Sequence, residues 1–331
     1  FINHRTVIPD TVFSIEMVSA GRERARTIAE SCDKVIYCTG NYPVQVAKEC
    51  YDRQTLALNI QPDMASYIHK INPNTVMILV SSYSYSINRE NEVIPAIIYT
   101  THAGAFLGKA VAMTLSGRNN PAGRLAMTWY KSELDLPDIM DYDIETAGTT
   151  YMYFSGTPLY PFGYGLSYST FEYENLEVIQ NNDGRISASI TVKNASDIEG
   201  DEVVQLYFTV KDSSVKRPIK KLCGFERVHI EAGASETIVM EIPEHILQIY
   251  DLHSGKMLLE SGSYIFMAGS SSGNIKLTAE LQISGEKTAL RGDIIEAQSC
   301  DFSSCIRILY SRKLRRHYIK THGWSSHTVY K

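Results

Sequence analysis

Two hydrophobic periods divide this chain. Residues 20–31 (AGRERARTIAES) read as a surface helix, and VIYCTG (35–40) as a short apolar strand closed by glycine. MASYIHKI (64–71) carries Met64, Tyr67, Ile68 and Ile71 at helical spacing. TVMILVSS (75–82) and VIPAIIYT (93–100) are continuous apolar strands, and AFLGKAVAMTLSG (105–117) is a further helix stopped by Gly117. Strands apolar throughout, alternating with helices, predict a mainly parallel sheet covered on both faces. From residue 171 the period changes to two. FEYENLEVI, RISASITVKN, DEVVQLYFTV, CGFERVHI, ETIVMEI, SYIFMAG and IKLTAELQI alternate apolar with polar, separated by turn residues such as Asn182-Asp183-Gly184. Seven short strands at this spacing predict an antiparallel β-sandwich.

Between these regions, residues 131–150 are acidic and aperiodic and read as a crossing segment. They lead into YMYFSGTPLYPFGYGLSYSTFEY (151–173), where nine of the 23 residues are aromatic against 10% overall. Interleaved Gly and Pro forbid a long helix there, and so many rings argue against disorder. A rigid, irregular connector whose rings pack into both flanking bodies is expected.

The length, 331 residues, suits two domains and part of a third. The net charge of −5 gives no reason to expect a nucleic-acid surface, but it hides an asymmetry. Residues 302–331 hold seven Lys or Arg and no acid, leaving 25 basic and 37 acidic side chains in the rest. No apolar run approaches a membrane span. The chain starts at Phe1, and FINHRTVIPDTVF lacks the layout of a signal peptide, so a chain truncated at its front is expected and its compartment stays open. Six cysteines (Cys32, Cys38, Cys50, Cys223, Cys300 and Cys305) are too sparse for a disulfide scaffold.

Six segments in order carry a resemblance: NPNTVMILVSSYSYSI (72–87), VIPAIIYTTHAG (93–104), GRNNPAGRLAMTWY (117–130), the aromatic connector, EGDEVVQLYF (199–208) and KRPIKKLCGFERVHIEAG (216–233). Together they resemble family 3 glycoside hydrolases, β-glucosidases and β-xylosidases that carry a fibronectin type III-like domain. The resemblance implies a family 3 C-terminal α/β-sandwich domain with a mostly parallel, partial sheet over residues 1–145. A connector over 146–170, an all-β fibronectin-III-like, immunoglobulin-like sandwich over 171–285 and a basic tail over 286–331 complete the expected organisation. It also implies an upstream (β/α)8 barrel, with this chain starting partway into the α/β domain.

Ligands of open α/β sheets bind beyond the carboxyl ends of the strands, so the loop GNYPVQVAKECYDRQTLALN (40–59) is where sugar is expected. Retaining glycosidases need a carboxylate nucleophile and a carboxylic acid about 5–5.5 Å apart. By the resemblance, Glu49-Cys50-Tyr51-Asp52-Arg53 matches the arrangement around the family's general acid/base, which makes Glu49 the catalytic candidate. A solvated loop carboxylate is the plainer reading. Asp52 and Arg53 are substrate-binding candidates or a charge-assisted pair holding the loop. Ser82, Tyr83 and His102, at the ends of neighbouring strands, are further substrate-binding candidates or local hydrogen-bonders. The family nucleophile is a barrel Asp usually preceded by Ser. The only Ser-Asp pair, Ser196-Asp197, falls in a turn of the sandwich and cannot serve. The chain alone is therefore expected to be inactive. Ala105-Phe106 stands where the family usually has Gln-Glu, which puts the activity of the parent in question.

The tail has three readings. GDIIEAQSCDFSSCIRI (292–308) resembles the opening of a family 6-type carbohydrate-binding module; Cys300-x4-Cys305-x11-His317-x4-His322 approaches a Cys2His2 zinc spacing; and a disordered or mis-framed end is the third. The leading expectation is the C-terminal part of a retaining β-glycosidase acting on an oligosaccharide or an aryl or alkyl β-glycoside, β-glucosidase ahead of β-xylosidase. It needs no cofactor and no metal, nucleic acid or membrane; homodimer formation is left open. The alternative is a non-catalytic carbohydrate-binding or scaffold protein built from the same domains.

Overall fold

Thr75–Val80 (β2) is the central strand of a three-stranded parallel sheet, between Val35–Gly40 (β1) and Ala96–Thr100 (β3). The computed structural model describes residues 15–41, 53, 55–58, 63–251 and 254–286. The register aligns Gly40 with Val80 and Val80 with Thr100, so all three strands end together. Met77, Ile78 and Leu79 are sealed from solvent, as continuous apolar residues of a central parallel strand should be. Helix α1 (Ile15–Glu30) precedes β1, and α2 (Met64–Ile71) precedes β2. Met64 and Ile68 of α2 pack with Ala29 of α1, following the helical spacing.

The run 93–100 is not one strand. Asn88–Val93 forms a short helix (α3), and β3 begins only at Ala96. Pro95 accounts for the break, because a residue before proline is pushed out of the helical region, and Ile94 is extended at φ −84° and ψ 122°. Helix α4 (Leu107–Leu115) follows a 3-10 turn at Gly104–Phe106. It turns Leu107, Val111 and Leu115 inward only to half-burial, and Phe106 is 75% exposed. A second 3-10 turn, Glu133–Asp135, is capped by Ser132.

The connector contains one helical turn, Thr150–Tyr153 (α5), and is otherwise irregular. Its rings pack in both directions. Tyr160 meets Trp129 edge-on at 5.7 Å and stacks on Tyr164 at 5.1 Å, while Tyr151 stacks on Phe162 at 4.3 Å and meets Tyr207 at 5.9 Å.

The remainder is β-rich. Phe171–Gln180 (β4), Ile186–Asn194 (β5), Gly200–Lys211 (β6), Lys221–Ile230 (β7) and Ser235–Ile242 (β8) come first. A turn at Glu244–Leu247 (α6), short strands Ile249–Asp251 (β9) and Lys256–Leu258 (β10), then Gly262–Ser271 (β11) and Asn274–Ile283 (β12) follow. Two larger sheets result, ordered β4-β5-β8 and β12-β11-β6-β7; β9 and β10 pair separately. All seven alternating segments are strands. Alternation along β5 buries Ile186, Ala188, Ile190 and Val192 on one face.

One alternation buries a charge. Glu202 shares its face of β6 with Val204 and Leu206 and is 2% exposed. Its carboxylate accepts from Arg124 Nη2 at 2.7 Å and from the Tyr173 hydroxyl at 2.9 Å. Among the described residues, 210–217, 244–251, 254–263 and 282–286 belong to a second compact unit. There Glu260, also buried, accepts from the hydroxyls of Ser213 and Ser214, the Ser214 N–H and Arg217. Those donors, led by the two hydroxyls, outweigh burial and hold its carboxyl below the usual range. No helix among the described residues is long and apolar enough to cross a membrane.

Candidate functional site

The three strands of the parallel sheet deliver Asn41, Ser81-Ser82 and Thr101-His102 to one edge, because their last residues are in register. The order β1-β2-β3 separates Asn41 from His102 by the width of β2. The imidazole closes that gap: His102 Nε2 lies 3.1 Å from the Asn41 carbonyl oxygen and Nδ1 lies 3.0 Å from Ser82 Oγ. A carbonyl can only accept, so Nε2 carries the proton, and in the neutral ring Nδ1 accepts from the Ser82 hydroxyl. Both ring nitrogens are engaged. His102 is thereby a stitch across the ends of all three strands.

Ser81 supports the same edge. Its N–H donates to Thr100 O at 2.9 Å, and its hydroxyl exchanges hydrogen bonds with the backbone of Tyr83. Tyr83 is 40% exposed, with the Arg53 guanidinium 5.6 Å from its ring centroid. Arg53 sits closer to the Tyr85 ring, at 4.4 Å, and donates to Ser84 O at 2.8 Å and Thr55 O at 3.1 Å. The cation therefore fixes the closing part of the candidate loop against the chain after β2. Leu56 continues the anchoring: its carbonyl accepts from Ser86 N and its N–H donates to Glu133 Oε1. The Thr55 hydroxyl, first, and the Leu56 N–H hold the Glu133 carboxyl below the usual carboxylate range.

Among the six candidates, Arg53 and Tyr83 meet each other, as do Ser82 and His102. Glu49 and Asp52 lie outside the described residues, as does the tail from 287 onward. Two further residues of this edge are not among the sequence candidates. Glu133 sits in an acidic stretch with nothing to distinguish it. Asn41 is 7% exposed, and its side-chain oxygen and nitrogen are both buried without a partner among the described residues. An unpaired buried amide costs about 1–3 kcal/mol, so a polar residue directly after a strand-ending glycine was the available signal. His102→Ala should loosen this edge while leaving the β-rich part untouched. Amide exchange at Asn41 and Ser82 should quicken about ten-fold, one hydrogen bond's worth; unchanged protection there would exclude the stitch.

Chemically, the edge offers hydroxyls, a carbonyl-anchored imidazole, a buried amide and a guanidinium over aromatic rings. Such groups suit a polyhydroxylated ligand. The described residues contain no carboxylate pair at this edge.

Residues 5–168 match the family model described as "Glycosyl hydrolase family 3 C-terminal domain", and residues 202–272 match "Fibronectin type III-like domain". A xylan 1,4-beta-xylosidase of Xylanibacter ruminicola is 33% identical over 260 residues, covering 74% of this chain and 30% of that protein. A beta-glucosidase of Kluyveromyces marxianus is 33% identical over 249 residues, covering 71% of this chain and 29% of that protein. Its crystal structure in complex with glucose superposes with a TM-score of 0.73 at 29% identity, over 82% of this chain and 34% of that one. The chain thus spans about a third of the length of the proteins it matches.

Proposed function

We propose, for a chain that belongs to glycosyl hydrolase family 3 and carries its C-terminal and fibronectin type III-like domains, that it is the C-terminal part of a retaining β-glycosidase. β-Glucosidase is the first assignment and β-xylosidase the second, after the named activities of the relatives. In this reading the α/β domain is one half of an α/β sandwich, and the β-rich part is an immunoglobulin-like sandwich that packs and stabilises it. The loop over 40–59 supplies Glu49 as general acid and then general base. The nucleophilic Asp comes from an upstream (β/α)8 barrel.

The observation that carries the reading is the strand-end edge that brackets this loop. His102 holds Asn41 at the loop's entry, and Arg53 with Leu56 holds its exit. A loop pinned at both ends positions an acid far better than a free one, and positioning is where much of the rate is gained. Asp52, Tyr83 and Ser82 are assigned to sugar hydroxyls, whereas Arg53 and His102 act by holding the backbone. Exposed apolar side chains over 134–142, with Leu134 94% and Tyr142 80% exposed, support a further body packing on this domain.

One observation favours the non-catalytic alternative. Phe106, exposed at the start of α4, stands where the family resemblance places a polar pair. The two readings separate in the longer protein that contains this sequence. As a β-glycosidase it should hydrolyse an aryl β-glucoside, and Glu49→Gln should lower kcat about 10²–10⁴-fold for a poor leaving group. The present chain by itself should show no turnover. Enzyme-like hydrolysis by this chain alone, or an indifferent Glu49→Gln variant, would refute the assignment.

A further inference from the structure

We propose that one end of the β6–β7 ladder binds a single divalent transition-metal ion of the zinc class, with Glu199, His229 and Glu231 as ligands and Asp201 orienting the imidazole. This site is independent of the glycosidase reading. The register pairs Asp201 with His229 and Gly200 with Ile230. Side chains two apart share a face, so Glu199 and Asp201 project with His229 and Glu231 into one patch. Three carboxylates then surround one imidazole. Like charges facing each other across strands destabilise a sheet. Arg227 relieves only Asp201, donating to it through Nε at 2.7 Å.

The imidazole is what makes this more than a collection of acids. His229 Nδ1 lies 2.7 Å from Asp201 Oδ1. An ionised carboxylate only accepts, so Nδ1 carries the proton, and in the neutral ring Nε2 offers its lone pair on the opposite side. Carboxylate, histidine and metal in that order is the arrangement that sets tautomer and ring orientation in metal sites. Nε2 faces Glu199 Oε2 at 3.9 Å and Glu231 Oε1 at 3.6 Å, both too far for a hydrogen bond. All three donor atoms lie within 4.8 Å of one another.

Those separations suit an ion at their centre. With zinc bonds near 2.0–2.1 Å, tetrahedral ligand atoms sit about 3.3 Å apart. Closing from 3.6 and 3.9 Å is a small rotation for two exposed glutamates. The backbone under Glu199 is already fixed, because its carbonyl accepts from Asn120 Nδ2 at 3.0 Å and Ser169 Oγ at 3.2 Å. One nitrogen and two oxygen donors favour zinc or cobalt over magnesium and calcium, which take all-oxygen shells. The fourth position is left for water. Bound there, the ion would clamp the start of β6 to the end of β7.

Titration calorimetry with Zn2+ on the full chain tests the site, at about pH 8, well above the ordinary imidazole range, because the hydrogen bond to Asp201 raises this one. The tail carries its own Cys300, Cys305, His317 and His322, so the Cys300→Ser/Cys305→Ser variant is run in parallel. Saturable binding should survive in that variant. It should weaken at least about ten-fold in His229→Ala and in Glu199→Gln/Glu231→Gln, and by about 10–100-fold in Asp201→Asn. Circular dichroism checks that each variant folds, and His229→Gln replaces any that does not. Zinc binding indifferent to residue 229, lost with the tail cysteines alone, or matched by Ca2+ would overturn the proposal.

Discussion

Arg124→Met should destabilise the fold by about 3–5 kcal/mol, read from urea unfolding curves, the cost of leaving one partner of a buried ion pair uncompensated. Arg124 and Glu202 are 8% and 2% exposed at their side chains and 2.7 Å apart. They join the segment after the parallel sheet to a strand of the β-rich part. Methionine keeps the aliphatic volume but leaves the Glu202 carboxylate without its charged partner, with the neutral donors Tyr173 and the Val203 N–H remaining. The double variant Arg124→Met/Glu202→Leu should recover most of the loss, because removing both charges also removes their desolvation cost. A single variant as stable as the wild type would mean that the pair contributes nothing.

The same variant has a pH signature. Burial pushes the Glu202 carboxyl up, against the pull of Arg124 and the Tyr173 hydroxyl. Without Arg124 the rise is larger. A carboxyl whose folded pKa exceeds its unfolded value binds the proton more tightly when folded, so it favours folding below that range and opposes it as pH rises through it. The deficit of Arg124→Met should therefore be largest at neutral to alkaline pH and shrink on acidification. Urea curves at about pH 5 and about pH 8 measure the difference.

Period carried most of the fold into the sequence. TVMILV is apolar at every position because both faces of a central parallel strand are covered, and the later strands alternate because only one face is. What escaped had too little length or the wrong company. Asn88–Val93 is polar up to its last residue and only six residues long, and Val93 with the following Ile94 makes the run into β3 look continuous. The three-residue strands β9 and β10 and the four-residue turn α6 are too short to show a period. Glu202 was legible in principle: it lies two residues before Val204 and four before Leu206, on what had to be the inward face. For the candidate site, strand ends located the edge, and His102 stood out as an imidazole. That it reaches Asn41, 61 residues away, depends on strand order, which no local pattern encodes.

Gly40→Ala should be the most damaging small change at that edge, at roughly 4 kcal/mol, combining backbone strain with overpacking. Gly40 has φ +147°, and a Cβ there would lie 1.8 Å from the Val80 carbonyl oxygen and 2.7 Å from its carbon. Backbone of the adjoining strand cannot swing aside as a side chain can, so the end of β1 must move. The Asn41 N–H now donates to that same Val80 oxygen at 3.2 Å, and the Asn41 carbonyl holds His102. Displacing Gly40 therefore undoes the strand end and the imidazole stitch together. Gly21→Ala is the control, since within helix α1 a Cβ at that position meets nothing within 4 Å. There alanine should stabilise by about 0.5–1 kcal/mol through helix propensity. One identical substitution should thus move the unfolding midpoint in opposite directions at two sites, and exchange at Asn41 should accelerate only for Gly40→Ala. Equal midpoints for the two variants would show that β1 and β2 do not meet as closely as described, and the positioned loop entry would lose its foundation.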